Sequence, residues 1–272
     1  MIFGIKNGSI PIGNTQMDYL RFGTGSKNLI MLPGLGDGLR SVRGMALPFY
    51  LLYRCYAKDY TVYSFSRRNV LEHGATTQDM AADLSCAMDQ LGIEKADILG
   101  VSMGGMIAQY LAIDHPERVG KLVLTVTSSC PNPIIIDAVN EWKAMALADD
   151  HTALMESNMR LIYTDRYYRQ NKWTVPIIGK LTKPKSYDRF LIMADACLNH
   201  NAFSELSRIQ SPTLILAGAE DRCLGPVASQ LIHEQIPGSK LIIYPGQGHG
   251  LYEEKQDFHQ TVLAYLNQEE GE

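Results

Sequence analysis

The chain has 272 residues, 46% hydrophobic and 20% charged, a balance that excludes disorder and permits a sizeable core. Its formal charge of −4, with Lys and Arg scattered along the sequence, gives no electrostatic reason to expect a nucleic-acid partner. Five dispersed cysteines lack CxxC or metal-ligand spacing, the first residues lack a signal-peptide pattern, and no run approaches 18 apolar residues. Together these predict a soluble cytoplasmic protein with free thiols, no metal and no membrane contact.

In chain order, Met17 to Phe22 alternates weakly and ends at the turn signal Gly23-Thr24-Gly25. Asn28 to Leu32 is a short apolar run stopped by Pro33-Gly34, and Thr61 to Phe65 is a second β-rich run. Between them, residues 39–58 predict a poorly defined helix. Thr77 is the expected N-cap of a helix carrying Met80, Leu84, Met88 and Leu91 at helical spacing, stopped by Gly92. A strand over Ala96–Val101, a helix over Met103–Ile113 and a strand over Lys121–Val126 follow. Residues 130–205 break this rhythm with prolines and Met- and aromatic-rich helical stretches, and are expected to form a helical insertion. Strand Thr213–Ala217 then leads to a helix over about 226–236, and strand Lys240–Tyr244 to a last helix over about 254–267. Strands apolar on both faces, alternating with helices, mean an α/β fold with a mostly parallel, doubly wound sheet. The expected organisation is a core of 1–129 and 206–272 with a helical lid at 130–205.

The chemistry centres on Gly100-Val101-Ser102-Met103-Gly104, placed between a predicted strand and a predicted helix. So tight a turn strains the serine backbone, and side chains at 100 or 104 would collide with neighbouring chain. The turn lifts the Ser102 hydroxyl above the carboxyl edge of the sheet. The helix N-terminus and the free amide of Met103 behind it suit an oxyanion. A serine hydroxyl needs a base. His249, in the glycine-rich loop Gly246 to Gly250 after the last strand, is favoured over His200, His233 and His259. The base needs a carboxylate, and Asp221, just beyond the strand ending at Ala217, is favoured over its neighbour Glu220. The loop Leu32-Pro33-Gly34-Leu35-Gly36-Asp37-Gly38 would supply the second oxyanion donor, the Leu35 amide. Gly34-x-Gly36 is not a dinucleotide fingerprint, because position 39 is Leu39, and no cofactor is expected.

These motifs, with His115-Pro116-Glu117-Arg118-Val119 and Ala217-Gly218-Ala219-Glu220-Asp221, resemble the α/β-hydrolase superfamily along nearly the full length. Lid-bearing esterases, enol-lactone hydrolases and carbon–carbon bond hydrolases are the most similar. The resemblance implies a sheet of about eight strands and a Ser102-His249-Asp221 serine hydrolase. Its substrate would be a small, largely apolar ester or lactone. Carbon–carbon cleavage of a diketone-like substrate by the same triad is the alternative, and a non-enzymatic ligand receptor is a third. Many relatives carry His-Gly where this chain has Pro33-Gly34, so the anchoring of that loop must differ. Trp142, Met145, Met159 and Tyr163 are candidates for the substrate pocket. Arg160, Arg166 and Arg169 are candidates for a substrate carboxylate. A small molecule is the expected partner, and homo-oligomer formation stays open.

Overall fold

The computed structural model describes residues 2–268 and begins with a hairpin, β1 (Lys6–Ile12) paired antiparallel with β2 (Thr15–Phe22). Strand β1 is absent from the sequence reading for a physical reason. It is an edge strand that buries only Ile10 and Ile12, and its Pro11 is tolerated because one side is unpaired. Next come β3 (Lys27–Leu32), α1 (Ala46–Tyr53), β4 (Tyr60–Arg68), α2 (Thr77–Gln90), β5 (Ala96–Val101), α3 (Met103–Asp114) and β6 (Val119–Thr125). The chain then builds α4 (Pro133–Leu147), α5 (His151–Ile162), α6 (Asp165–Asn171), α7 (Val175–Thr182) and α8 (Asp188–Leu198) before rejoining the sheet. It closes with β7 (Thr213–Gly218), α9 (Pro226–Gln235), β8 (Lys240–Tyr244), α10 (Leu251–Glu254) and α11 (Phe258–Asn267).

The eight strands form one sheet in the order β1-β2-β4-β3-β5-β6-β7-β8, parallel from β4 to β8. Alternate residues feed two cores. Ile30, Ile98 and Leu122 face the layer holding Leu84, Met88 and Leu111, while Leu29, Leu99 and Val123 face Phe258 and Val262. Each such side chain contributes about 1.5–3 kcal/mol by leaving water.

Two of the boundaries that differ from expectation have a visible cause. The N-cap of α2 is Thr76, not Thr77: Thr76 Oγ1 accepts from the Asp79 amide and Asp79 returns the bond to the Thr76 amide. Thr77 is instead buried, its hydroxyl 2.8 Å from His200 Nδ1. The last expected helix is two, because Lys255 adopts an extended conformation that ends α10. Within the insertion, α4 packs on α5 and α8, α5 on α7, and α8 on the 3-10 turn Leu35–Gly38. No helix among the described residues is long and apolar enough to cross a membrane.

Candidate active site

Strands β3, β5, β7 and β8 end at one edge of the sheet, where the crossovers of a parallel sheet leave a crevice. Ser102 follows β5 at this edge with φ 55° and ψ −122°, a left-handed conformation that a side chain adopts only under constraint. The constraint is visible. The Ser102 amide donates to Thr125 O at 2.9 Å, and the Ser102 carbonyl accepts from the Gly105 amide and the Thr127 hydroxyl at 2.8 and 2.7 Å. A Cβ at Gly100 would lie 2.7 Å from Gly104 O, and one at Gly104 would fall on the Leu32 carbonyl. Both glycines are therefore demanded by close backbone approach.

His249 and Asp221 meet in the same crevice. His249 Nδ1 lies 2.8 Å from Asp221 Oδ2, and both residues are buried. The other carboxylate oxygen accepts from the Cys223 and Leu224 amides at 2.8 and 3.0 Å. Burial alone would raise the Asp221 pKa, but the adjacent imidazole and the two amides outweigh it and hold the carboxyl below its ordinary value. Glu220, its neighbour, is exposed. Ser102 and His249 line one cavity of 360 Å³, and among the described residues Ser102 Oγ has no hydrogen-bond partner.

The loop after β3 approaches Ser102 so closely that a Cβ on Gly34 would come within 3.2 Å of the serine Cβ. Leu35 opens the 3-10 turn and Met103 opens α3, positions whose amides have no partner within their own helices. What holds this loop was not read from the sequence. Asp37 is buried and accepts from Ser66 Oγ at 2.6 Å and from the Arg67 amide at 2.9 Å. Arg189 of α8 pairs with the same carboxylate and donates to the Asp37 carbonyl. Arg67, itself buried, donates to Pro33 O at 2.5 Å, and burial lowers its pKa to about 10. Two arginines and a carboxylate thus fasten the loop around Pro33-Gly34.

The expected pocket residues divide. Trp142 lines the cavity, its Nε1 donating to Ser157 Oγ at 3.2 Å. Met145, Met159 and Tyr163 do not line it. On α5 the buried side chains are His151, Leu154 and Ser157, and the cavity wall carries Asn158 and Ile162, four residues apart and one position before the expected pair. Tyr163 ends α5, stacks on Tyr167 and donates to Glu253 Oε2 at 2.6 Å. Met145 packs against the main core from the edge. The arginine candidates also lie away from the cavity: Arg160 pairs with Glu156, and Arg166 and Arg169 are exposed.

Asp221, Cys223 and His249 place three donor atoms within 4.8 Å of one another. They suit a metal poorly. Both Asp221 oxygens are already occupied by hydrogen bonds, and burial pushes the Cys223 thiol well above its usual range, so no thiolate is at hand.

Residues 27–256 match the alpha/beta hydrolase fold family. The chain is 27% identical over 275 residues to 2-hydroxy-6-oxononadienedioate/2-hydroxy-6-oxononatrienedioate hydrolase 2 of Pseudomonas putida, covering 96% of this chain and 94% of that protein. Among solved structures it is similar to an alpha/beta hydrolase enzyme from a Medee basin deep-sea metagenome library. That match has a TM-score of 0.85 at 21% identity and covers 97% of this chain and 99% of the other. The enol-lactonase of Burkholderia xenovorans matches with a TM-score of 0.82 at 19% identity, covering 96% of this chain and 100% of the other.

Proposed function

The chain belongs to the alpha/beta hydrolase fold family, and from that premise we propose that it hydrolyses a small, largely apolar carboxylic ester or lactone at Ser102. The observation that carries this reading is the buried His249–Asp221 pair opening onto the same cavity as the strained serine. With Nδ1 turned to Asp221, the imidazole offers Nε2 to take the Ser102 proton as Oγ attacks the carbonyl carbon. The amides of Leu35 and Met103 receive the developing oxyanion, each such donor contributing on the order of 3 kcal/mol. His249 returns its proton to the departing alkoxide, leaving an acyl-Ser102 ester. Water, deprotonated by His249, then attacks the acyl carbon, and the acid leaves as Ser102 regains its proton. The steps use only side chains and amides of this chain. In this reading, helices α4–α8 act as a lid, with Trp142, Asn158 and Ile162 as its inner surface.

The likeness to the Pseudomonas putida relative favours a second reading, carbon–carbon cleavage by the same three residues. A fluorophosphonate probe tests what the two readings share, Ser102 as nucleophile. Labelling of the wild-type protein and its loss in Ser102→Ala are expected, while labelling that persists in the variant refutes the assignment. Alanine inherits the same backbone strain, so the two proteins should melt alike. Turnover of simple esters, set beside a vinylogous diketone, then separates the two chemistries. Ligand-induced stabilisation without turnover of either would make the protein a receptor.

A further inference from the structure

The cavity does not stop at Ser102. It continues down the sheet face that carries Met31 and Leu99, beneath α1 and against α10 and α11. Its far wall is polar in a particular way. Tyr53 at the end of α1 and Tyr252 of α10 both line it, and among the described residues neither hydroxyl has a hydrogen-bond partner. Burial pushes the Tyr53 phenol up to about 12 and that of Tyr252 well above its ordinary value, so both are neutral groups that donate and accept. Beside them Glu253, exposed like Arg40, also lines the cavity. One of its oxygens accepts from Tyr163, and the other has no partner among the described residues. His259, further along, is already occupied, with Nδ1 3.0 Å from the Tyr56 hydroxyl. Arg40 is the one lysine or arginine among the described residues that line the cavity, and it is exposed.

We infer that this arm of the cavity takes an uncharged group of the ester or lactone, that Tyr53 and Tyr252 hydrogen-bond a neutral polar substituent on it, and that Glu253 repels substrates carrying a carboxylate there. The inference rests on the serine-hydrolase reading above and adds a substrate class to it. It also separates this chain from its Pseudomonas putida relative, whose name specifies a dioate. The size of the exclusion follows from the size of the space. A sphere of 360 Å³ is about 9 Å across. Two like charges about that far apart disfavour binding by about 2-fold where water screens the exposed Glu253 carboxylate and by about 20-fold at an effective dielectric near 20.

The test uses p-nitrophenyl esters of a six-carbon acid in three forms: plain hexanoate, the adipate with a free carboxylate, and its methyl-capped ester. At about pH 8, wild-type kcat/KM should favour the methyl-capped adipate over the free acid by about 2-fold to 20-fold. Glu253→Gln, which keeps a partner for Tyr163, should bring that ratio down toward one. Tyr53→Phe and Tyr252→Phe should lower the preference for the capped adipate over plain hexanoate, a ratio that a general loss of folding would not move. Preference for the free acid, abolished by Arg40→Ala, would overturn the inference and leave the hydrolase reading standing. An unchanged ratio in Glu253→Gln would overturn it as well. If the wild-type protein turns over none of the three esters, both readings fall together.

Discussion

Replacing Asp37 with alanine removes the carboxylate that joins the loop after β3 to strand β4 and to helix α8. The Asp37 side chain is 1% exposed and Arg189, its ion-pair partner, 14%. The Ser66 hydroxyl, the Arg67 amide and the Arg189 guanidinium would all lose an acceptor in a space with little water. Truncating one partner of a buried pair costs about 3–5 kcal/mol, and the partial exposure of Arg189 argues for the lower half of that range, about 3–4 kcal/mol. For a chain of this size the loss lowers the melting temperature by about 6–16 °C. A second effect is separable. The Leu35 amide is held by the same loop, so at a temperature where the variant stays folded kcat should fall by up to about 100-fold while KM changes little. Asp37→Asn keeps the shape and one acceptor oxygen, and should lie between the two proteins in both readouts. The assay is a thermal scan by circular dichroism paired with steady-state ester hydrolysis. A folded Asp37→Ala that melts with the wild type, or that keeps its kcat, would refute the idea that this carboxylate positions the loop.

Asp221→Asn should lower kcat by about 10,000-fold, measured on the same esters, because the amide stabilises the wrong imidazole tautomer. The same change alters acid stability. The folded protein holds the Asp221 carboxyl below its ordinary pKa, so its contribution is present above the usual carboxylate range and is lost as pH falls through the depressed folded value. Urea unfolding followed downward from neutral pH should therefore show a shallower acid decline in the asparagine variant. An identical decline would remove Asp221 from the account. Gly104→Ala sets a methyl group against the Leu32 and Pro33 carbonyls, backbone that cannot rotate away. It should cost about 1–3 kcal/mol, read as a fall in the denaturation midpoint.

The sequence made the Ser102 turn legible because two different periodicities flank it, an apolar strand before and a helix after. Asp221 and His249 were legible because each follows a strand after only a few residues, which fixes them to one edge whatever the details of the loop. The stripe on α5 was not. Met155 and Met159 compete with Asn158 and Ile162 for the cavity wall, and the choice, one residue apart, is decided by how α5 packs against α4 and α7. Nor was the loop anchor legible. Arg67 and Arg189 stand 30 and 152 residues from Asp37, and no local pattern announces that one will pair with its buried carboxylate while the other bonds the Pro33 carbonyl. Strand β1 escaped because half of a strand at the sheet's edge reads as surface.

The φ of 55° at Ser102 sets the protein's robustness against its chemistry. A residue confined to that region costs on the order of 1–3 kcal/mol, which the bonds from Thr125, Gly105 and Thr127 must offset. Glycine would sit there without strain. Ser102→Gly should accordingly melt above the wild type while losing hydrolysis, and a variant that melts lower would mean the turn is relaxed after all. A screen for heat resistance alone would then drift toward an inert protein, so any attempt to harden this chain has to hold residue 102 fixed and seek its gains elsewhere.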